Sequence, residues 1–168
     1  MADIRLESLT RHHLAATLRW VNDPELMRLL NRAAPVAADE HERWFSALEA
    51  RRDCRYFAVM SGDAHVGNVW LWDIDTRHQR AEVRILIGER TAIGQGVGSR
   101  ALERLASIAF GEMAINRLYA FVLEINPRAR RAFEKAGFRH EGRLREDRSS
   151  DGRFVDVDLL SRLRGDTT

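Results

Sequence analysis

The stretch from Glu82 to Arg104, EVRILIGERTAIGQGVGSRALER, constrains the chain more than any other. It begins as a strand, in which Val83, Ile85 and Ile87 alternate with Arg84 and Leu86. After a Gly-rich connection it continues as a helix with Val97, Ala101, Leu102, Leu105, Ile108 and Ala109 on one apolar face. At the junction stands Gly94-Gln95-Gly96-Val97-Gly98. Glycines let the backbone come close to a ligand, and a first helical turn leaves N–H groups without intrahelical partners. Those donors and the positive end of the helix dipole suit a phosphate or pyrophosphate. Glycines before a helix also serve as a plain turn, so the junction by itself leaves both readings open.

A length of 168 residues fits one domain, residues 1–168, with enough chain to bury a sizeable core. No apolar run approaches the roughly 18 residues of a membrane span, and MADIRLESL lacks the apolar region of a signal peptide. The single cysteine, Cys54, rules out an internal disulfide framework and agrees with a reducing cytoplasm. It reads as structural filler before a strand rather than as a nucleophile. The charge excess of +2 suits anionic ligands but is too small to argue for nucleic acid. The six histidines show no metal spacing, and a zinc site is not expected.

Taken in order, residues 3–9 alternate as a short strand, and Thr10 caps a helix over 11–21 with Leu14, Leu18 and Val21 on one face. Asn22-Asp23-Pro24 starts a second helix over about 24–31, and Asp39 caps a third over 40–51. Strands over 55–60 and 65–74 flank the turn Ser61-Gly62-Asp63, and a third follows at 80–88. Beyond the helix at 96–111 come a strand over 117–124 and a helix that opens at Asn126-Pro127 and ends at Gly137. Two closing strands, 138–145 and 153–163, surround the turn Ser150-Asp151-Gly152. This order predicts a mixed α/β sheet with helices packed on its faces.

The second informative stretch runs from Glu124 to Phe138, where a strand again enters a capped helix. Two such units side by side open a cleft in which a long polar ligand can lie, its phosphates on the first helix start. Here the chain resembles the GNAT superfamily of acyl-CoA-dependent N-acetyltransferases. Gly96-Val97-Gly98 is similar to the family's pyrophosphate-binding (Q/R)-x-x-G-x-G segment, and Asn126 with Phe133-Glu134-Lys135-Ala136-Gly137-Phe138 to its N-(x)n-(Y)EK-x-GF segment. Trp20-Val21-Asn22-Asp23-Pro24, Glu40-His41 with Trp44-Phe45, and the ending Asp151 to Val157 resemble RimJ/RimL-type, spermidine and amino-sugar acetyltransferases. The resemblance covers nearly the whole chain. It implies the GNAT fold: a mostly antiparallel mixed sheet with splayed central strands and helices on both faces.

The resemblance also implies roles. Acetyl-CoA is the co-substrate. Backbone groups of Ile85, Leu86 and Ile87 hold the pantetheine and polarise the thioester. The segment Ile93, Gly94, Gln95, Gly96, Val97, Gly98 and Ser99 cradles the pyrophosphate, Asn126 bonds the pantetheine arm, and Arg131 with Lys135 reaches the 3′-phosphate. Arg128 and Arg130, with Arg131, otherwise read as a solvated helix face. Glu82 matches a glutamate general base, with an ion-paired strand carboxylate beside Arg80 and Arg84 as its plain reading. An alkylammonium with pKa near 10 costs roughly 4 kcal/mol to deprotonate at pH 7, which is the work such a base shares. Three positions depart from the family pattern. Ile93 replaces Gln/Arg, Phe133 stands where many members carry the tyrosine that protonates the leaving thiolate, and Ala129 replaces a frequent serine. Tyr119 is an outside substitute for that acid but reads better as strand packing, while Trp70 and Trp72 fit core and cleft equally.

The function expected is transfer of acetyl from acetyl-CoA to a primary amine: a polyamine, an amino sugar or a peptide N-terminus. The acidic and aromatic residues Glu40, Trp20 and Trp44 suit a cationic or sugar-like acceptor. A non-catalytic acyl-CoA-binding module is the alternative that Phe133 and Ala129 leave open. No nucleic-acid or membrane partner is expected, and a homodimer is one arrangement open to the chain.

Overall fold

The computed structural model describes residues 3–166. Seven strands form one sheet in the order β1-β2-β3-β4-β5-β7-β6. They are β1 (Ile4–Ser8), β2 (Arg55–Ser61), β3 (Ala64–Asp75), β4 (Arg80–Ile87), β5 (Arg117–Leu123), β6 (Arg139–Ser150) and β7 (Arg153–Leu163). The helices are α1 (Leu14–Val21), α2 (Pro24–Leu29), α3 (Ala38–Leu48), α4 (Val97–Gly111) and α5 (Pro127–Lys135). Every strand pairing is antiparallel except that of β4 with β5.

That exception creates the site. β4 and β5 pair only from Arg80↔Arg117 to Glu82↔Tyr119, while β4 stays bonded to β3 up to Gly67↔Ile87. Beyond Glu82 the two strands diverge, and the β5-facing edge of β4 is left for something other than a strand. Each strand feeds a helix on one side of the sheet, α4 after β4 and α5 after β5. Val97, Ala101, Leu102, Leu105 and Ala109 of α4 pack with Val69, Leu71, Ala81 and Val83 of the sheet and Phe133 of α5 in the main core. A smaller cluster of Trp20, Leu26 and Leu86, with Trp70 against it, seats α1 and α2 on the opposite face. Alternation along β4 sorts its side chains between the two: Val83 goes under α4, and Glu82 and Leu86 go under the α1–α3 layer.

The helix starts follow local chemistry. Asp23 accepts from the N–H groups of Glu25 and Leu26 at 3.0 and 3.1 Å, with Pro24 at the first helical position. Asn126 Oδ1 accepts from Ala129 N–H at 3.0 Å, and Gly137 ends α5 at φ +82°.

Several sequence-based boundaries move. Thr10 opens a single 3₁₀ turn, Arg11–His13, before α1, and its N–H donates to His13 Nδ1 at 3.0 Å. The buried stripe of α1 is Leu14, Thr17 and Trp20, because Trp20 fills the space over Gly88 while Leu18 and Val21 stay half-buried. In α4, Ala106 is buried and Ile108 only half so. Ala37, not Asp39, stands at the start of α3, and Asp39 instead pairs with Arg43 one turn on. β6 runs on to Ser150, pairing with β7 through a tight turn at Asp151 and Gly152, both with φ > 0.

Candidate active site

Two cavities meet at the splay. The first, of about 680 Å³, lies under the α1–α3 layer and reaches Glu82, Trp70, Trp72, Tyr56, His41 and Trp44. The second, of about 320 Å³, runs along the starts of α4 and α5. Leu29, Leu30, Ile85, Leu86, Asn126 and Ala129 line both. The walls of the two spaces therefore join at the point where β4 leaves β5.

The second cavity collects most of the residues expected to hold a coenzyme. Ile85, Leu86, Ile87, Ile93, Gly94, Gly96, Val97, Gly98, Ser99, Asn126, Arg131 and Lys135 line it, as does Arg128. Gly94 and Gly96 sit at φ +81° and +73°, a left-handed region open to glycine at no steric cost. They turn the chain so that α4 begins with its N–H groups at the cavity. Gln95 is an exception among the expected residues. It is outside the lining, and its carbonyl accepts from Arg100 Nη2 at 3.2 Å while Gly96 O accepts from Ser99 Oγ at 3.0 Å. Those bonds brace the loop from behind. A Cβ on Gly98 would meet Ala132, Ile87 and Ile85 at 3.6–3.9 Å, so glycine there keeps the groove between α4 and α5 open. Asn126 spends Oδ1 on the α5 cap, which leaves its Nδ2 donor for a ligand. The residues fit an elongated pyrophosphate ester with an amide-bearing arm, flanked by the cations Arg131 and Lys135.

Arg130 differs from the solvated face expected of it. It donates to Asp158 Oδ2 at 2.8 Å, while Arg143 Nε donates to Oδ1 at 2.8 Å and His140 Nε2 lies 3.1 Å from that same Oδ1. Asp158 is 2% exposed, and its bond to Arg143 above all holds its carboxyl below the usual range. The cluster ties α5 to the β6–β7 hairpin. Composition could not have located it, since its members lie up to 28 residues apart.

In the first cavity, Glu82 is 13% exposed at its side chain, and Arg84 grips both carboxylate oxygens at 2.6 and 3.1 Å. The ion-paired reading and a place in the cavity wall thus hold together. Trp70 and Trp72 both line the cleft, and Trp70 stacks on Tyr56 at 5.2 Å and 11°. Burial pushes the Tyr56 hydroxyl up to about 12, so it stays protonated. Tyr56, Asn31 and Arg32 had no signal in the sequence, because two segments far apart in the chain, the loop after α2 and strand β2, bring them together. His41 is buried, stacks on Trp44 at 5.0 Å, and is kept below the usual histidine range chiefly by desolvation. Its Nε2 and the Trp70 Nε1 are buried without a hydrogen-bond partner among the described residues.

Phe133 is buried against Phe138 in the core and lines the first cavity, where it offers bulk and no proton. Tyr119 does not reach the cleft; its hydroxyl donates to Asp73 at 3.3 Å. Cys54 is buried, and desolvation raises its thiol above the usual range, so it is no nucleophile. Among the described residues no group of His, Cys, Asp and Glu is placed to hold a metal ion.

Residues 3–139 match the family model described as an acetyltransferase (GNAT) domain. The chain belongs to the GNAT acetyltransferase family. This acetyltransferase is 30% identical over 151 residues to the spermidine N(1)-acetyltransferase of Escherichia coli K12, spanning 90% of this chain and 81% of that one. It is 24% identical over 152 residues to the aminoglycoside N(6′)-acetyltransferase type 1 of Klebsiella pneumoniae, spanning 83% and 75%. Among solved structures, the spermidine N-acetyltransferase of Vibrio cholerae in complex with CoA and spermine superposes with a TM-score of 0.91. Identity there is 26%, over 97% of this chain and 96% of that one. The splayed sheet is therefore the GNAT fold, and the chain is an acetyl-CoA-dependent N-acetyltransferase acting on an amine. These relatives are catalysts, and nothing in them favours a non-catalytic binding module.

Proposed function

We propose that this enzyme acetylates a small-molecule primary amine lodged in the aromatic cavity, with the acyl donor along the groove between α4 and α5. The observation that carries the reading is the shared wall of Ile85, Leu86, Asn126 and Ala129 where the two cavities join. The coenzyme supplies an activated acetyl thioester. The chain's own groups do the rest. Backbone at Ile85 to Ile87, unpaired toward β5, receives the thioester arm and its carbonyl. The starts of α4 and α5, with Arg131 and Lys135, take the phosphates. Glu82, fixed by Arg84, accepts the proton of the incoming ammonium through water. Phe133 leaves the departing thiolate to solvent, which a pKa near 8.5 permits. Holding both partners in one geometry supplies the proximity advantage.

The same reading takes residues 1–168 as one RimJ/RimL-like domain working in the cytoplasm without a nucleic-acid or membrane partner, and a homodimer as its simplest assembly. No helix among the described residues is long and apolar enough to cross a membrane. Thiol release from acetyl-CoA across polyamines, aminoglycosides, amino sugars and peptides tests the function. Release with a small amine supports it, and silence across the panel despite CoA binding refutes it.

A further inference from the structure

The charges lining the acceptor cavity are two carboxylates, Glu40 and Glu82, against three arginines, Arg32, Arg84 and Arg148. Pairing reduces the list. Glu82 and Arg84 neutralise one another, and Arg148 is held by the side chain of Asp147. Glu40 is then one uncommitted carboxylate, facing an acceptor whose reacting nitrogen arrives as an ammonium. A linear polyamine brings two or more further ammonium groups, and among the described residues the lining offers them no second free carboxylate. It offers Arg32 instead.

Arg32 lies in the loop between α2 and α3 and makes no ion pair among the described residues. Its backbone is nevertheless fixed. Its N–H donates to Met27 O at 2.9 Å, and Asn31 before it sits at φ +53°. The same loop is clamped at its far end by Asn22, which accepts from Val36 N–H at 2.7 Å and donates to Val36 O at 2.9 Å. Two charges act on the buried His41 in opposite senses, Glu42 the more strongly and Arg32 after it. An uncommitted guanidinium on an anchored backbone, lining the same cavity as the stacked Tyr56 and Trp70, is a receptor for an oxyanion.

We infer that the acceptor carries an anionic group, a phosphate or carboxylate, which Arg32 receives, and that polycationic amines are poor substrates. The inference rests on the reading that the aromatic cavity holds the acceptor. It also separates this enzyme from relatives named for spermidine.

The test is a thiol-release assay on amines matched but for the anion: glucosamine with glucosamine 6-phosphate, cadaverine with lysine, and spermidine as the polycation. The first pair reads phosphate, the second carboxylate. In at least one pair the anionic member should exceed its partner, and spermidine, about tenfold or more in kcat/KM. Arg32→Gln should raise KM for that amine about tenfold, the worth of one partly exposed charge-assisted bond, with kcat held within about twofold. Arg32→Glu should move the preference toward spermidine. Wild-type enzyme that prefers spermidine or the unadorned amines overturns the inference and leaves the proposed function standing. So does an anion preference that survives Arg32→Gln. No release from any of these amines overturns the inference, and silence across the wider panel as well removes the proposed function with it.

Discussion

Gly98 separates what the groove does for binding from what the helix needs for stability. It occupies the second position of α4, where a Cβ would touch Ala132, Ile87 and Ile85 at 3.6–3.9 Å, ordinary contact distances. Gly98→Ala therefore fits the protein without displacing anything. Removing a helical glycine stabilises by about 0.5–1 kcal/mol, which for a chain of this size is worth about 1–4 °C in Tm. The added methyl, however, stands in the groove between α4 and α5. A pyrophosphate pushed back from the first turn of α4 loses at least one hydrogen bond between a charged group and an N–H, about 1.5–3 kcal/mol. Kd for CoA should accordingly rise roughly 10- to 150-fold while Tm holds or climbs. Calorimetric titration with CoA and a thermal melt on the same preparation read both. Affinity unchanged within about twofold in a folded variant refutes the placement of the coenzyme against α4.

Three further perturbations follow from named contacts. Glu82→Gln should lower kcat about 10²-fold or more with Kd for CoA unchanged, measured by thiol release and titration; full turnover would end its assignment as the base. Gly88→Ala places a Cβ 2.0 Å from the Trp20 ring, which has no room to retreat at 2% exposure, so Tm should drop by several degrees. Asp158→Asn tests a pH dependence. The folded carboxyl titrates below the ordinary aspartate value of 3.8, so its contribution is complete above that value and is lost as pH falls through the folded pKa. The stability gap between wild type and Asp158→Asn should be widest near neutrality and close below pH 3.8.

The legible parts of the chain were those with local causes. Asp23-Pro24, Asn126-Pro127 and Gly137 announce helix ends through their own caps and dihedrals, and each behaves as it reads. The α4 start is legible for the same reason, because Gly94 and Gly96 need the conformations they adopt. β6 was cut short because RHEGRLREDRSS, an edge strand exposed on nearly its whole length, carries no apolar period; its pairing comes from β7. Asp39 lost the cap to Ala37 because α3 starts two residues earlier, where the loop clamped by Asn22 delivers the chain. The acceptor wall was the least legible part. Glu40, His41 and Trp44 were readable as an acceptor segment, but Tyr56 and Arg32 join them only through tertiary packing, and no spacing along the chain encodes that. Arg130 was misread because its partner Asp158 lies on a strand not yet placed beside α5.

The proposed placement of the acyl donor puts the thioester carbon where the two cavities join, between the free edge of β4 and Asn126. A crystal structure of the enzyme with CoA and an acetylated product tests it most directly. The expected result is the CoA sulfur against Ile85 and Leu86, the phosphates at the start of α4, and the product amide facing Glu82. A sulfur bound elsewhere, or a product on the far side of the sheet from Glu82, contradicts it.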